Sequence, residues 1–108
     1  DEIIISISFP KVDRAAYRKV PNPASRYAMV GIFIAVTAEG VRVAVTGAGS
    51  DGVYRDDGIE AALKKEFSPA ALERVTIKTD HLIGDIHASP DYRAHLVREI
   101  AKRAVEAC

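Results

Sequence analysis

The chain has 108 residues, 48% of them apolar and 28% charged, which suits one small soluble domain with a real core. Fifteen basic residues balance fifteen acidic ones, a charge pattern that argues against a nucleic-acid or membrane-surface binder. No apolar run approaches the roughly 20 residues that span a bilayer, and the one cysteine, Cys108, rules out an internal disulfide, so a reducing cytoplasm is expected.

The first residue, Asp1, leads at once into an apolar run and shows no signal-peptide pattern, so the chain reads as an excised piece. Ile3 to Phe9 predicts a strand, with Ile5, Ile7 and Phe9 on one face, Ser6 and Ser8 on the other, and Pro10 at its end. Ala15 to Val20 predicts a second short strand, on which Tyr17 and Lys19 share a side because strand side chains alternate. Pro21-Asn22-Pro23 makes a loop. Ala28 to Thr37 is apolar on both faces and predicts a central strand, and Ala38-Glu39-Gly40 turns the chain into a return strand, Val41 to Thr46.

Gly47 to Gly58 holds four glycines and predicts a loop. A helix should follow over about Ile59 to Phe67, capped by Asp56 or Asp57, and Ser68-Pro69 should start another to about Val75. Val75 to Lys78 fits a helix end or a strand. Ser89-Pro90-Asp91 opens the longest helix, to about Ala107. Its apolar stripe is Tyr92, Leu96, Val97, Ile100, Ala101, Ala104 and Val105, and Glu99 with Arg103 has helix-stabilising spacing. Strands first and helices after predict an α+β sandwich: an antiparallel or mixed sheet of three to four strands with about three helices on one face, as a single domain over 1–108.

The motifs that could carry chemistry are few. Gly47-Ala48-Gly49-Ser50-Asp51-Gly52 fits the dinucleotide-binding glycine pattern and follows a strand. However, six residues separate it from any helix start, and Asp80 lies too far on to serve as the ribose-binding acid. His81, Asp85 and His87 could approach a metal, but the spacing equally suits a polar loop before a helix. Cys108 lacks the electropositive setting of a reactive thiol, and no nucleophile elbow or Walker loop is present. On one strand face, Tyr17 and Lys19 could lie against a planar cofactor edge, or Tyr17 could be half core and Lys19 a snorkelling stem.

Three segments carry a resemblance. AYRKVPNPASRYAMVGIFIAV, the glycine-containing turn at Thr46 to Arg55, and GDIHASPDYRAHLVREIAKRAVEAC together resemble the C-terminal domain of the FAD-binding medium subunit of molybdenum hydroxylases, the carbon monoxide dehydrogenase and xanthine dehydrogenase family. The resemblance implies an α+β domain, without catalysis of its own, packed beside an FAD-binding domain of the same polypeptide. It further implies a large subunit with the molybdenum cofactor, a small iron–sulfur subunit, and electron relay through FAD. By position, Tyr17 and Lys19 match the strand that approaches the flavin ring in some members of the family. The chain departs from the family's pattern at Asn22 and Arg26, where relatives carry an Arg after the Lys and an Asp before the long strand. The alternative is a stand-alone interaction or dimerisation domain without a redox role, and a third, a small nucleotide-binding enzyme, would use Gly47 to Gly52.

Overall fold

In the computed structural model, which describes residues 1–85 and 88–108, four strands form one antiparallel sheet in the order β1-β2-β3-β4. They are β1 (Arg14–Pro21), β2 (Ala28–Thr37), β3 (Gly40–Thr46) and the two-residue β4 (Tyr54–Arg55). Two α-helices, α1 (Asp57–Lys65) and α2 (Pro90–Ala107), and a single 3-10 turn at Pro69–Leu72 follow. The strands-then-helices order thus gives the α+β fold, with one helical turn where a third helix is expected.

The sheet has a covered face and an open one, and register decides which residue goes where. Ile32 pairs with Arg18 and Val45, and Ile34 with Ala16 and Val43. Residues directly opposite share a face, so Val30, Ile32 and Ile34 of β2 join Val43 and Val45 of β3 on one side. All five are fully buried. Helix α2 crosses β2 and β1 on that side and contributes Val97, Ile100, Ala101 and Ala104, while α1 lies over β3 with Ile59 and Leu63. Fully burying each large aliphatic side chain contributes about 1.5–3 kcal/mol, so this one layer is the main source of stability.

Local chemistry fixes the helix starts. The Asp56 carboxylate accepts from the Ile59 amide at 3.0 Å, so Asp56 rather than Asp57 is the cap. Acids in the first turn and Lys64 and Lys65 in the last suit the helix dipole. Ser89 caps α2 through the Tyr92 amide at 3.1 Å, with Pro90 at the first helical position.

The structure corrects the sequence reading at several points. Ile3 to Phe9 forms no strand: the first backbone hydrogen bond among the described residues runs from Asp13 to the Val36 carbonyl. Alternation makes a segment competent to pair, but a strand exists only when an edge meets it. The helix expected to Val75 stops at Leu72, and 75–78 is neither helix nor strand. Within α2, Tyr92 is 49% exposed and Arg93 is buried in its place. The Glu99 carboxylate meets Lys102 at 3.0 Å instead of the expected Arg103, and Lys102 also holds Glu73 at 2.9 Å, tying α2 to the end of the 3-10 turn. No helix is long and apolar enough to cross a membrane among the described residues.

Candidate functional site

The open face of the sheet carries the two residues singled out from the sequence. Tyr17 pairs with Phe33, and Lys19 with Gly31, so the four lie together on the side away from the helices. Tyr17 and Phe33 are each 42% exposed, on a face that also carries Ala15, the buried Ala35, its partner Arg42, and Ala44. No helix covers this face among the described residues, and two aromatic side chains exposed side by side make an apolar patch.

Gly31 sets how the Tyr17 ring sits. A Cβ at residue 31 would collide with the Tyr17 hydroxyl and with Thr46 Oγ1, and would lie 3.0 Å from Tyr17 Cζ. The ring therefore leans across the bare backbone of β2, and its hydroxyl reaches Thr46 on β3 at 3.4 Å. That contact is long for O–H···O and adds direction more than energy. One strand thus supplies the ring, the next gives the gap, and the third gives the polar contact.

Lys19 sits at the end of the patch. Its ammonium donates to the Arg26 carbonyl at 3.1 Å. Arg26 has φ 66°, the left-handed region, and its amide donates to the Asn22 carbonyl at 2.9 Å. Asn22 also accepts from the Ala24 amide at 3.1 Å through its side chain and donates through its backbone to Tyr27 at 2.7 Å. The loop is a closed hydrogen-bonded turn, and it fixes both the stem of Lys19 and the 80%-exposed Tyr27 beside it. Asn22 and Arg26, the two departures from the resembled pattern, are the residues that build this turn.

The glycine loop is committed internally. Gly47 has φ 78°, and a side chain there would strike the Ala28 carbonyl. The Ser50 amide donates to the His81 carbonyl at 2.8 Å, the Gly52 amide to the Gly49 carbonyl at 3.3 Å, and Ile83 to Ala48 at 2.8 Å. A phosphate cradle needs several such amides aimed at the ligand, whereas here the Ser50 amide is taken by His81, the Gly52 amide turns back to Gly49, and the Ala48 carbonyl is held by Ile83.

Of the candidate metal group, His87 lies outside the described residues. His81 packs edge-on against Tyr54 with ring centroids 4.5 Å apart, and its Nδ1 lies 3.5 Å from Asp80. Asp85 binds Arg93. Among the described residues no three His, Cys, Asp or Glu side chains gather to hold an ion. A cleft of about 210 Å³ lies between β4, the start of α1 and 76–81, walled by Tyr54, Arg55, Asp56, Lys78 and His81. Burial, and then the Asp56 charge, pushes the Tyr54 phenol up to about 12, so it stays protonated. Burial also pushes the Cys108 thiol up, the opposite of an activated thiolate.

Sequence reasoning missed Arg93, the buried hub of the domain. Its guanidinium donates to the Met29 carbonyl at 2.7 Å, to the Gly47 carbonyl at 3.4 Å, and to both Asp85 oxygens at 3.2 Å. It ties α2 to the starts of β2 and of the glycine loop. The only signal in the sequence was an arginine next to the apolar stripe, on the side where Tyr92 was expected.

A sequence model of the family described as CO dehydrogenase flavoprotein C-terminal domain matches residues 15–108, from β1 to the end of α2. Neither the curated proteins nor the solved structures provide a match.

Proposed function

Because the chain belongs to the family of CO dehydrogenase flavoprotein C-terminal domains, we propose that it is the non-catalytic C-terminal domain of an FAD-containing subunit that relays electrons in a molybdenum-dependent hydroxylase or dehydrogenase. The FAD of that subunit would supply electron transfer between iron–sulfur clusters and an external acceptor. The observation that carries this reading is the half-exposed Tyr17–Phe33 patch on the uncovered sheet face, with Lys19 at its end.

These residues fit one part of FAD and not another. A phenol ring lying against Gly31 offers an apolar wall to an isoalloxazine edge. The Lys19 ammonium, held by the Arg26 carbonyl, places positive charge near that wall and favours negative charge on a reduced ring. The pyrophosphate is a different matter: two amides of the glycine loop, Ser50 and Gly52, donate to carbonyls of their own chain, and residues 53–56 separate the loop from the start of α1. The grip on FAD therefore belongs to another domain of the same polypeptide, and the present domain closes over the ring.

The same reading takes the family-matched residues 15–108 as one domain with a single core, inactive when isolated, in a cytoplasmic complex with a molybdenum-cofactor large subunit and an iron–sulfur small subunit. Purification of the full-length polypeptide tests it. A yellow protein whose flavin is released on unfolding is expected. A colourless protein that reconstitutes with no flavin would instead favour the interaction-domain reading.

A further inference from the structure

Residues 1–12 are the part of the chain that the fold does not use. Ile3, Ile4, Ile5, Ile7 and Phe9 are 67–93% exposed, although four of the five are isoleucines, which soluble surfaces rarely present in a row. No backbone hydrogen bond joins residues 1–12 to the rest among the described residues. The pattern is nonetheless regular. In an extended segment, Ile3, Ile5, Ile7 and Phe9 fall on one face, and Ile4, Ser6 and Ser8 on the other. One apolar face and one largely hydroxyl face is the pattern of a strand in an antiparallel sheet with one side on a core and one in water. A lipid surface or a helix groove would select a different period. Pro10, which has no N–H to give, closes the segment before the charged Lys11 and Asp13.

We infer that Ile3–Phe9 is a strand of the neighbouring domain's sheet, docked by main-chain pairing to an open edge of the domain that precedes this one in the same polypeptide. The choice of occupant follows from position. The family match begins at residue 15, inside β1, so the segment lies outside the C-terminal domain as the family defines it. It leads into β1 through only residues 10–13, of which Asp13 is already paired to Val36. A strand anchored in the preceding domain would thus hold β1, with Tyr17 and Lys19, at a fixed offset of a few residues from that domain. This inference rests on the proposed function only in requiring a preceding domain; it does not require that domain to bind flavin.

Amide hydrogen exchange on the full-length subunit and on the 108-residue chain tests it. In the full-length subunit the amides of Ile4 to Phe9 should exchange about 100-fold or more slowly than in the 108-residue chain. Ile5→Lys with Ile7→Lys should abolish that protection while leaving the thermal midpoint of the 108-residue chain unchanged. Exchange at unstructured-chain rates in the full-length subunit would overturn the inference. So would protection in the 108-residue chain that rises with concentration alongside a dimer in sedimentation, because the occupant would then be a second copy on the free edge of β1. A flavin-loaded subunit with unprotected residues 3–9 leaves the proposed function standing and removes this inference; a flavin-free subunit with protected residues does the reverse.

Discussion

Replacing Arg93 by Ala should be the most damaging single change away from the aliphatic core. Arg93 is 4% exposed and lies where α2, the start of β2, the glycine loop and Asp85 meet. Breaking a buried ion pair from one side costs about 3–5 kcal/mol. The Asp85 side chain is 39% exposed, so water screens part of the loss. Against that, the Met29 carbonyl loses a charge-assisted bond of 2.7 Å, worth about 1.5–3 kcal/mol. The expected cost is about 2–4 kcal/mol, a large share of the about 5–15 kcal/mol that holds a domain together. For a domain near this size, that lowers the thermal midpoint by about 10–20 °C. Arg93→Lys should recover part of the loss, because one ammonium cannot serve the Met29 carbonyl and the Asp85 carboxylate with a guanidinium's geometry. Urea denaturation of wild type, Arg93→Ala, Asp85→Ala and the double variant measures the coupling directly. A loss below about 1 kcal/mol for Arg93→Ala, with no coupling to Asp85, would refute the hub.

Three further outcomes are expected. Leu96→Ala, at a buried position of α2, should cost about 2–5 kcal/mol by chemical denaturation. Gly31→Ala should cost about 1–3 kcal/mol, because the added methyl meets Thr46 Oγ1 and the Tyr17 hydroxyl at this buried position and both must shift. The same substitution must push the phenol aside, so the Tyr17 ring resonances should shift, and unchanged resonances would mean that the ring does not lie over Gly31. Glu60 is partly buried, which raises its pKa, but hydrogen bonds from Arg55 and the Val43 amide and the charges of Arg55 and Arg42 outweigh that and hold its carboxyl below the ordinary glutamate range. A depressed carboxylate pKa stabilises the fold above the unfolded value and loses that contribution as pH falls through the folded one. Glu60→Gln should therefore lower stability at neutral pH and flatten its decline below about pH 4.5; an unchanged acid limb would contradict this.

The sequence revealed those elements whose cause is local. Ser89-Pro90 and Asp56 mark helix starts because a cap and its amide lie three residues apart, and the apolar run of β2 marks a central strand because both neighbours are its own hairpin partners. The misses share a different cause. Tyr54–Arg55 pairs with β3 across the glycine loop, Arg93 reaches the Met29 carbonyl on a distant strand, and Ile3–Phe9 alternates without an edge to meet. Each depends on what the chain finds elsewhere in space, which no local window encodes. The candidate site was legible in the same partial way. Alternation put Tyr17 and Lys19 on one face, but the neighbours that complete that face, Phe33, Gly31 and Thr46, come from register.

In the proposed function the open sheet face meets the flavin. The most direct measurement is the visible absorption spectrum and reduction rate of the flavin in full-length subunit carrying Tyr17→Ala or Lys19→Ala. A shifted flavin band or an altered rate, with the far-ultraviolet circular dichroism and the thermal midpoint of the domain retained, is the result we expect. A flavin whose spectrum and reduction are identical to wild type in both variants would contradict the account and leave Tyr17 and Lys19 as surface packing.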